Sequence, residues 1–244
     1  MAVIKNLLWH DGYLRRGLRI AVDWDMEAAP HMCCFGATGS GKTYLLKLAL
    51  GKIVRYDTTA QLTVCDGKGG DFDFLSGCER YASIDVSKVF NGFYDAFLAR
   101  QRGEEDLDRI GSRVLLFDEW SAYMDSLLDA PDGKKLMEAQ RRKLGNLLRL
   151  GISYHFHVIL GQQRMDSTYF QGFRENFNLV VGLSNLSKES RDMFFTGFKD
   201  QMEPDRERGT GYMLTNGTGF TPIAVPRVRD LSKLNRVILE GVTR

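Results

Sequence analysis

The stretch PHMCCFGATGSGKTYLLKLAL, residues 30–50, joins an apolar run, a glycine-rich turn and a leucine-rich segment. The run MCCFG predicts a short strand, and the apolar residues after the turn recur at helical spacing. The turn fits G-x-x-x-x-G-K-[ST] at Gly36, Gly41, Lys42 and Thr43, between a strand and a helix as this pattern requires. The stretch therefore predicts a phosphate-binding loop.

The residue types in this loop suit a nucleoside triphosphate. Glycines leave backbone N–H groups free to surround phosphate, and the following helix directs its positive dipole end toward the anion. We expect Lys42 to neutralise the β- and γ-phosphates of ATP, and Thr43 to bind Mg²⁺ through its hydroxyl. The predicted nucleotide-binding residues of the loop are Gly36, Ala37, Thr38, Gly39, Ser40, Gly41, Lys42 and Thr43.

A second apolar run, RVLLFDEW at residues 113–120, contains two acids at its end. If the run is a strand that points at the nucleotide, Asp118 would bind Mg²⁺ together with Thr43, and Glu119 would polarise the attacking water. The alternative is a buried strand that merely ends in surface acids. Beside a phosphate-binding loop, the acid pair favours ATP hydrolysis over simple nucleotide binding, with ATP and Mg²⁺ as cofactors.

Strand-like and helix-like segments alternate along the rest of the chain. The runs LTVCDG, FHVILGQQ and NLVVGLS predict strands, whereas SKVFNGFYDAFLARQR and KKLMEAQRRKLGNLLRLG predict helices. The alternation predicts an α/β fold, a largely parallel sheet flanked by helices, and Asn216-Gly217 predicts a C-terminal β-hairpin. We expect a strand or hairpin extension at 1–29, an ATPase domain at 30–230 and a helix at 231–244.

Composition limits the classes of partner. The 244 residues carry 33 Lys and Arg against 31 Asp and Glu, a net charge of +2, so binding to a polyanion would depend on a local patch. The four cysteines lack the spacing of a zinc site and do not suggest a disulfide framework, which favours a reducing, cytoplasmic location. The sequence predicts no membrane span of its own.

Six segments, in order, resemble the FtsK/SpoIIIE branch of the FtsK–HerA P-loop ATPases. PHMCCFGATGSGKT is similar to that family's approach to the phosphate-binding loop, VCDGKGGDF to its Asp-x-Lys-Gly-Gly segment, and LLFDEW to its Walker B strand. HVILGQQRMD resembles a strand that ends in Gln-Arg-Pro, with Gln163 and Arg164 in place and Met165 where proline is usual. FRENFNLVVGLSNLSKESRDMFF and RGTGYML complete the likeness, which is to the motor domain only.

The resemblance implies a RecA-like ATPase that assembles into a ring, commonly a hexamer, and pumps DNA without reading its sequence. Gln163 would report on the γ-phosphate, and a neighbouring subunit would supply an arginine to ATP. Arg191 is the first candidate for this arginine, with Arg174 and Arg208 in reserve. The implied catalytic residues are Lys42, Glu119, Gln163 and Arg191. Implied partners are DNA, other copies of the chain, and a relaxase, a replication protein or a membrane channel.

The sequence gives little indication of which residues would contact DNA. Cations cluster in one predicted helix, and a loop before it carries two more, but a solvated helix face has the same composition. These cations are Arg141, Arg142, Lys143 and Arg149 in the helix and Lys134 and Lys135 in the loop. The alternative functions are a viral genome-packaging ATPase, a nucleotide-gated assembly protein and a small-molecule kinase. A GTPase is disfavoured because the guanine-specificity pattern is absent.

Overall fold

A ten-stranded sheet runs through the computed structural model, which describes residues 2–104, 111–163, 167–170 and 172–244. Its strands are β1 (Val3–His10), β2 (Ala21–Asp25), β3 (Met32–Phe35), β4 (Gln61–Asp66), β5 (Tyr81–Ala82), β6 (Arg113–Asp118), β7 (Phe156–Gln162), β8 (Leu179–Leu183), β9 (Thr210–Thr215) and β10 (Gly219–Ala224). The α-helices are α1 (Asp11–Leu14), α2 (Lys42–Tyr56), α3 (Val86–Gln101), α4 (Trp120–Leu127), α5 (Gly133–Leu150), α6 (Lys188–Phe194) and α7 (Leu231–Thr243).

The order of the strands across the sheet is β2-β1-β10-β9-β8-β3-β7-β6-β4-β5. The strands from β8 to β5 are parallel, and those from β2 to β8 pair in antiparallel fashion. The predicted α/β fold with a mostly parallel sheet is therefore confirmed. Because β3, β6, β7 and β8 are parallel, the segments that follow them meet at one edge of the sheet.

Helices cover both faces of the sheet, as the buried strands require. Alternate residues of β3 enter different cores: Met32 and Cys34 join α2 and α7 on one face, whereas Cys33 and Phe35 join α3, α4 and α5 on the other. The second core is rich in aromatic residues, with Phe117 and Trp120 in edge contact at 4.9 Å between ring centroids. A strand buried on both faces holds its end in a fixed position, which benefits any site built there.

The segments at the two ends of the chain join the same sheet and core. β1 pairs with β2 and β10, and α7 packs against α2 and β4. β1 and β2, which pair with each other, fall within residues 1–29, for which a strand or hairpin extension was expected. The predicted hairpin is present as β9 and β10, with Asn216 and Gly217 at φ 49° and 72° in its turn. The domain boundaries at residues 30 and 230 stay a prediction.

Of the helices in the described part of the chain, none combines the length and the apolar character that crossing a bilayer demands.

Candidate active site

The loop between β3 and α2 has glycine where its backbone needs it. Gly39 and Gly41 lie at φ 83° and 99°, in the left-handed region that other residues rarely adopt. A Cβ on Gly36 would lie 2.7 Å from Ser40 Oγ and 2.8 Å from the Leu183 carbonyl oxygen. The loop therefore fits closely against the end of β8. α2 begins at Lys42, so its N-terminal amides face the loop.

A cavity of about 310 Å³ opens over this loop. Its described lining contains the whole predicted stretch from Ala37 to Thr43, together with Glu119 and Gln163. The lining also contains Tyr44, Lys68, Asp71 and Arg208, none of which was among the predicted cavity residues. Gly36 lines an adjoining cavity of about 500 Å³ that shares Ala37, Thr38 and Gln163 with the first.

Lys42 forms a buried ion-pair cluster with the two predicted acids. Its Nζ lies 2.5 Å from Asp118 Oδ1 and 2.9 Å from Glu119 Oε1, and all three side chains are less than 10% exposed. Burial lowers the pKa of Lys42, but the two carboxylates outweigh that effect and raise it above its usual value. Burial raises the pKa of Asp118, and the charge of Lys42 opposes this rise. The cluster joins the loop lysine to both carboxylates.

Two neighbouring strands position the acids. Asp118 ends β6, and Glu119 follows at φ 57°, at the N-terminus of α4. The Glu119 N–H donates to the Gly161 carbonyl at 2.8 Å, and its Oε2 accepts a hydrogen bond from the Gln163 N–H at 3.3 Å. These bonds tie the turn after β6 to β7.

Gly161 is a site residue that sequence reasoning missed. It lies opposite Asp118 in the β6–β7 register, and a Cβ there would come 2.2 Å from Asp118 Oδ1. Any larger residue would displace the carboxylate from Lys42. A lone glycine inside an apolar strand is the signal that could have found it.

The hydroxyl of Thr43 donates to Asp71 Oδ2 at 3.0 Å. Thr43, Asp71 and Asp118 thus offer oxygen atoms, the donor type that Mg²⁺ prefers. No group of three or more Asp, Glu, His or Cys able to hold a metal occurs among the residues described. This arrangement fits Mg²⁺, which commonly takes one or two protein ligands and completes its shell with phosphate oxygens and water.

Two adjacent glutamines at the end of β7 differ in environment. Gln162 is fully buried, and its amide forms a hydrogen bond of 2.9 Å with the Ser121 hydroxyl at the start of α4. Gln163 is half-buried and lines the cavity. Gln163 is therefore the glutamine placed to contact a nucleotide. Arg164 and Met165, from the same motif, lie outside the described residues.

The three candidate arginines lie in different places. Arg191 is on α6 and is not among the described residues that line the two cavities of the loop. Arg174 lines a separate groove beside β8 and β9. Arg208 lines the loop cavity of its own chain. Arg208, one of the two reserve candidates for the arginine supplied to a neighbour, thus lies at the cavity of its own chain.

The cations considered for DNA binding lie on α5. Lys143 Nζ donates to Asn91 Oδ1 at 2.7 Å, Arg141 pairs with Glu138, and Arg149 donates to Asn146 Oδ1 at 3.0 Å. The prediction of a loop at Lys134 and Lys135 is wrong, because α5 already begins at Gly133. Arg141, Lys143 and Arg149 therefore have intramolecular partners, which weakens the case for a dedicated DNA-binding face there.

Comparison with known proteins finds sequence relatives named as an FtsK domain-containing protein and as ESX secretion system proteins. The chain is 27% identical over 245 residues to the "Ftsk domain-containing protein YdcQ" of Bacillus subtilis, a match that covers 91% of this chain and 48% of that protein. It is 26% identical to the "ESX secretion system protein EccC" of Thermomonospora curvata, covering 85% of this chain and 18% of that protein. The chain thus spans about half or less of the length of the curated relatives it matches. No protein-family profile matches the chain.

Solved structures share the fold. The conjugation coupling protein TcpA of pCW3, solved as a monomer with ATPγS, superposes with a TM-score of 0.70 at 16% identity, over 95% of this chain and 69% of TcpA. At this identity the likeness concerns the fold alone. By its sequence relatives and its ordered motifs, the chain is similar to the FtsK-like P-loop ATPase domains of the FtsK–HerA superfamily, and it has their RecA-like fold.

Proposed function

We propose that this domain hydrolyses ATP with Mg²⁺ and uses the energy to move DNA through a ring of identical subunits. The observation that carries the proposal is the cluster of Lys42 with Asp118 and Glu119 under a glycine-rich loop, beside a cavity of about 310 Å³. A nucleotide-binding loop alone would suit many proteins. A carboxylate pair within reach of the loop lysine suits hydrolysis.

Each side chain has a part in the proposed reaction. Lys42 would exchange its carboxylate partners for the β- and γ-phosphates, while Thr43 and Asp118 would hold Mg²⁺. Mg²⁺ supplies neutralisation of the phosphate charge. Glu119, no longer paired with Lys42, would orient a water molecule and accept its proton. Gln163 would contact the γ-phosphate with its amide.

A ring of subunits would complete this site. Arg191 is half-buried on α6 and lies outside the described lining of its own loop cavities, so it suits donation to the ATP of a neighbouring subunit. An arginine of this kind stabilises charge that develops in phosphoryl transfer. DNA as the track rests on the ordered resemblance to the DNA-pumping ATPases and on the FtsK domain-containing relative.

The test is ATP hydrolysis with and without duplex DNA over a salt series. We expect DNA to stimulate hydrolysis at low ionic strength and the stimulation to fade as salt rises, because phosphate contacts release counterions. Triplex displacement then measures movement directly. Hydrolysis that DNA leaves unchanged at every salt concentration would contradict a DNA track.

A protein substrate is the second candidate, and the relative named as a secretion protein favours it. The two candidates share the ATPase chemistry and differ only in the polymer. A domain that moves protein would hydrolyse ATP without a response to DNA and would displace no triplex strand. The same assays therefore separate the two.

A further inference from the structure

We propose that Arg208 binds the β- and γ-phosphates of ATP in the active site of its own chain. The inference rests on the proposed ATP binding and adds a residue to that site. The sequence resemblance had placed Arg208 in reserve as an arginine donated to a neighbour. The structure instead places Arg208 in the lining of the cavity over its own phosphate-binding loop.

The backbone beside Arg208 is fastened to that loop. The Gly209 N–H donates to the Ser40 carbonyl at 2.9 Å, and the Gly209 carbonyl accepts from the Val225 N–H at 2.8 Å. Gly209 adopts φ 78°, and a Cβ on Gly41 would lie 3.5 Å from Gly209 Cα. The segment before β9 thus touches the loop through its backbone, so Arg208 lies at the cavity of its own chain.

Arg206, two positions before Arg208, anchors this segment in the protein interior. Arg206 is 6% exposed, forms an ion pair of 2.9 Å with Asp11, and donates to the Gly211 carbonyl at 3.1 Å. Its backbone N–H donates to Asn185 Oδ1 at 2.7 Å. Arg208 follows in a turn that the Thr210 N–H closes onto the Glu207 carbonyl at 3.1 Å, and it is exposed at the mouth of the cavity.

The charge balance of the cavity gives Arg208 a role. Lys42 already pairs with two carboxylates, and Asp71 adds a third beside Thr43. The other cations of the described lining are Lys68 and Arg208. A triphosphate brings further negative charge, which Mg²⁺, Lys42 and Lys68 would share with Arg208. A guanidinium is well suited to this task, because it can donate two parallel hydrogen bonds to phosphate oxygens.

Calorimetric titration with ATPγS, ADP and AMP in the presence of Mg²⁺ tests the assignment. The titration uses the full chain at concentrations at which mass photometry shows monomers, so that no neighbour can donate an arginine. We expect Arg208→Ala to weaken ATPγS binding about tenfold, equivalent to about 1.4 kcal/mol, and to leave AMP binding unchanged. Arg208→Lys should lose less, because it keeps the charge.

The matched control is Arg236→Ala, which removes an exposed arginine of α7 and should bind all three nucleotides as the unaltered chain does. Because Arg208 is exposed, its variants should keep the unaltered melting temperature. Equal ATPγS affinity in Arg208→Ala and the unaltered chain overturns the assignment alone. No ATPγS binding by the unaltered chain overturns the proposed function, and the assignment with it.

A mixing experiment separates action within one chain from action between chains. Arg208→Ala keeps its own acids, and Glu119→Gln keeps Arg208 but lacks the carboxylate needed for hydrolysis. If Arg208 acts on its own chain's nucleotide, the mixture hydrolyses ATP no faster than the two variants measured apart. Recovery of hydrolysis in the mixture would show donation to a neighbour and overturn the assignment.

Discussion

Lys42 pairs with two buried carboxylates in the free protein, in addition to its proposed contact with a bound nucleotide. Lys42→Ala would leave Asp118 and Glu119 buried without their cation. We expect a loss of about 3 kcal/mol in the free energy of unfolding, together with loss of ATPγS binding. Urea denaturation measures the first effect, with the exposed Lys233→Ala as control. Unchanged stability in Lys42→Ala would show that the cluster contributes nothing to the fold.

Glu119→Gln is the cleaner probe of catalysis, because an amide keeps the size of the side chain, can still accept a hydrogen bond from Lys42 Nζ and removes the proposed general base. We expect ATPγS binding to persist and ATP hydrolysis to fall at least about a hundredfold. The measurement is phosphate release under saturating ATP. Glu240→Gln, an exposed position on α7, is the control. Hydrolysis equal to that of the unaltered chain would remove Glu119 from the proposed mechanism.

Sequence reasoning located the residues that belong to short, recognisable motifs. The spacing of the glycines before Lys42 and the position of Glu119 at a strand end were enough to bring both into one cavity. The contact of Gly161 with Asp118 and the position of Arg208 at the cavity were not predicted, because they depend on which strands are neighbours. The roles of all these residues in hydrolysis stay predictions.

The pairing of β6 with β7 sets the position of Asp118, and Gly161 is the point at which that pairing can be disturbed. Gly161→Ala would place a Cβ 2.2 Å from Asp118 Oδ1 and push the carboxylate away from Lys42. We expect hydrolysis to fall about tenfold or more, as for misplaced catalytic groups. Phosphate release measures the loss, and circular dichroism checks that the sheet persists.

Gly92→Ala is the control for this variant, because a Cβ at Gly92 in α3 would meet no atom within 4 Å. There alanine should stabilise the helix by about 0.5–1 kcal/mol and leave hydrolysis unchanged. If Gly161→Ala hydrolysed ATP as well as Gly92→Ala does, the close approach between position 161 and Asp118 would not affect hydrolysis.

Segments with a clear hydrophobic period were assigned to helices or strands directly, whereas for β1 only a strand or hairpin somewhere in 1–29 was expected. Its sequence VIKNLLWH places Lys5 and Asn6 between apolar residues. Asn6 lies at φ 52°, and the pairing with β2 shifts register between Ile4 and Leu8. The bulge breaks the alternation by which a strand is found in a sequence.

Two buried histidines link the stability of the fold to pH. His31 and His157 are 1% and 0% exposed, and burial lowers the pKa of His31 to about 3 and of His157 to about 4, against 6.5 in the unfolded chain. As the pH falls, these two histidines therefore bind protons at a higher pH in the unfolded chain than in the folded chain. The stability that the neutral rings contribute is complete above pH 6.5 and is lost as the pH falls toward the folded-state values.

His157→Asn removes one of these titrations, while its amide can still donate to the Pro30 carbonyl that His157 Nδ1 contacts at 3.0 Å. We expect the free energy of unfolding of this variant to fall less steeply between about pH 6.5 and pH 4, by up to about 1.4 kcal/mol per pH unit. Urea denaturation across that range gives the slope. His155→Asn keeps both buried rings and should follow the unaltered chain, and a parallel slope in His157→Asn would contradict the linkage.

The arrangement of the whole sheet was predictable only in part. A parallel sheet follows from the alternation of strands and helices, and its existence is confirmed. The hairpin of β9 and β10 was predicted, but its pairing with β1 was not, because that pairing joins residues about 200 positions apart, such as Trp9 and Ala224. Local patterns carry no information about such partners.

One border of the sheet is formed by β5, whose ladder with β4 consists of Val64 with Tyr81 and Cys65 with Ala82. So short a border presents very few unpaired amides and carbonyls to a passing strand. Another polypeptide, including a second copy, would find almost no template there for extending the sheet. Any association of subunits on that side would therefore depend on contacts between side chains. Substitutions can change such contacts one position at a time without disturbing the backbone.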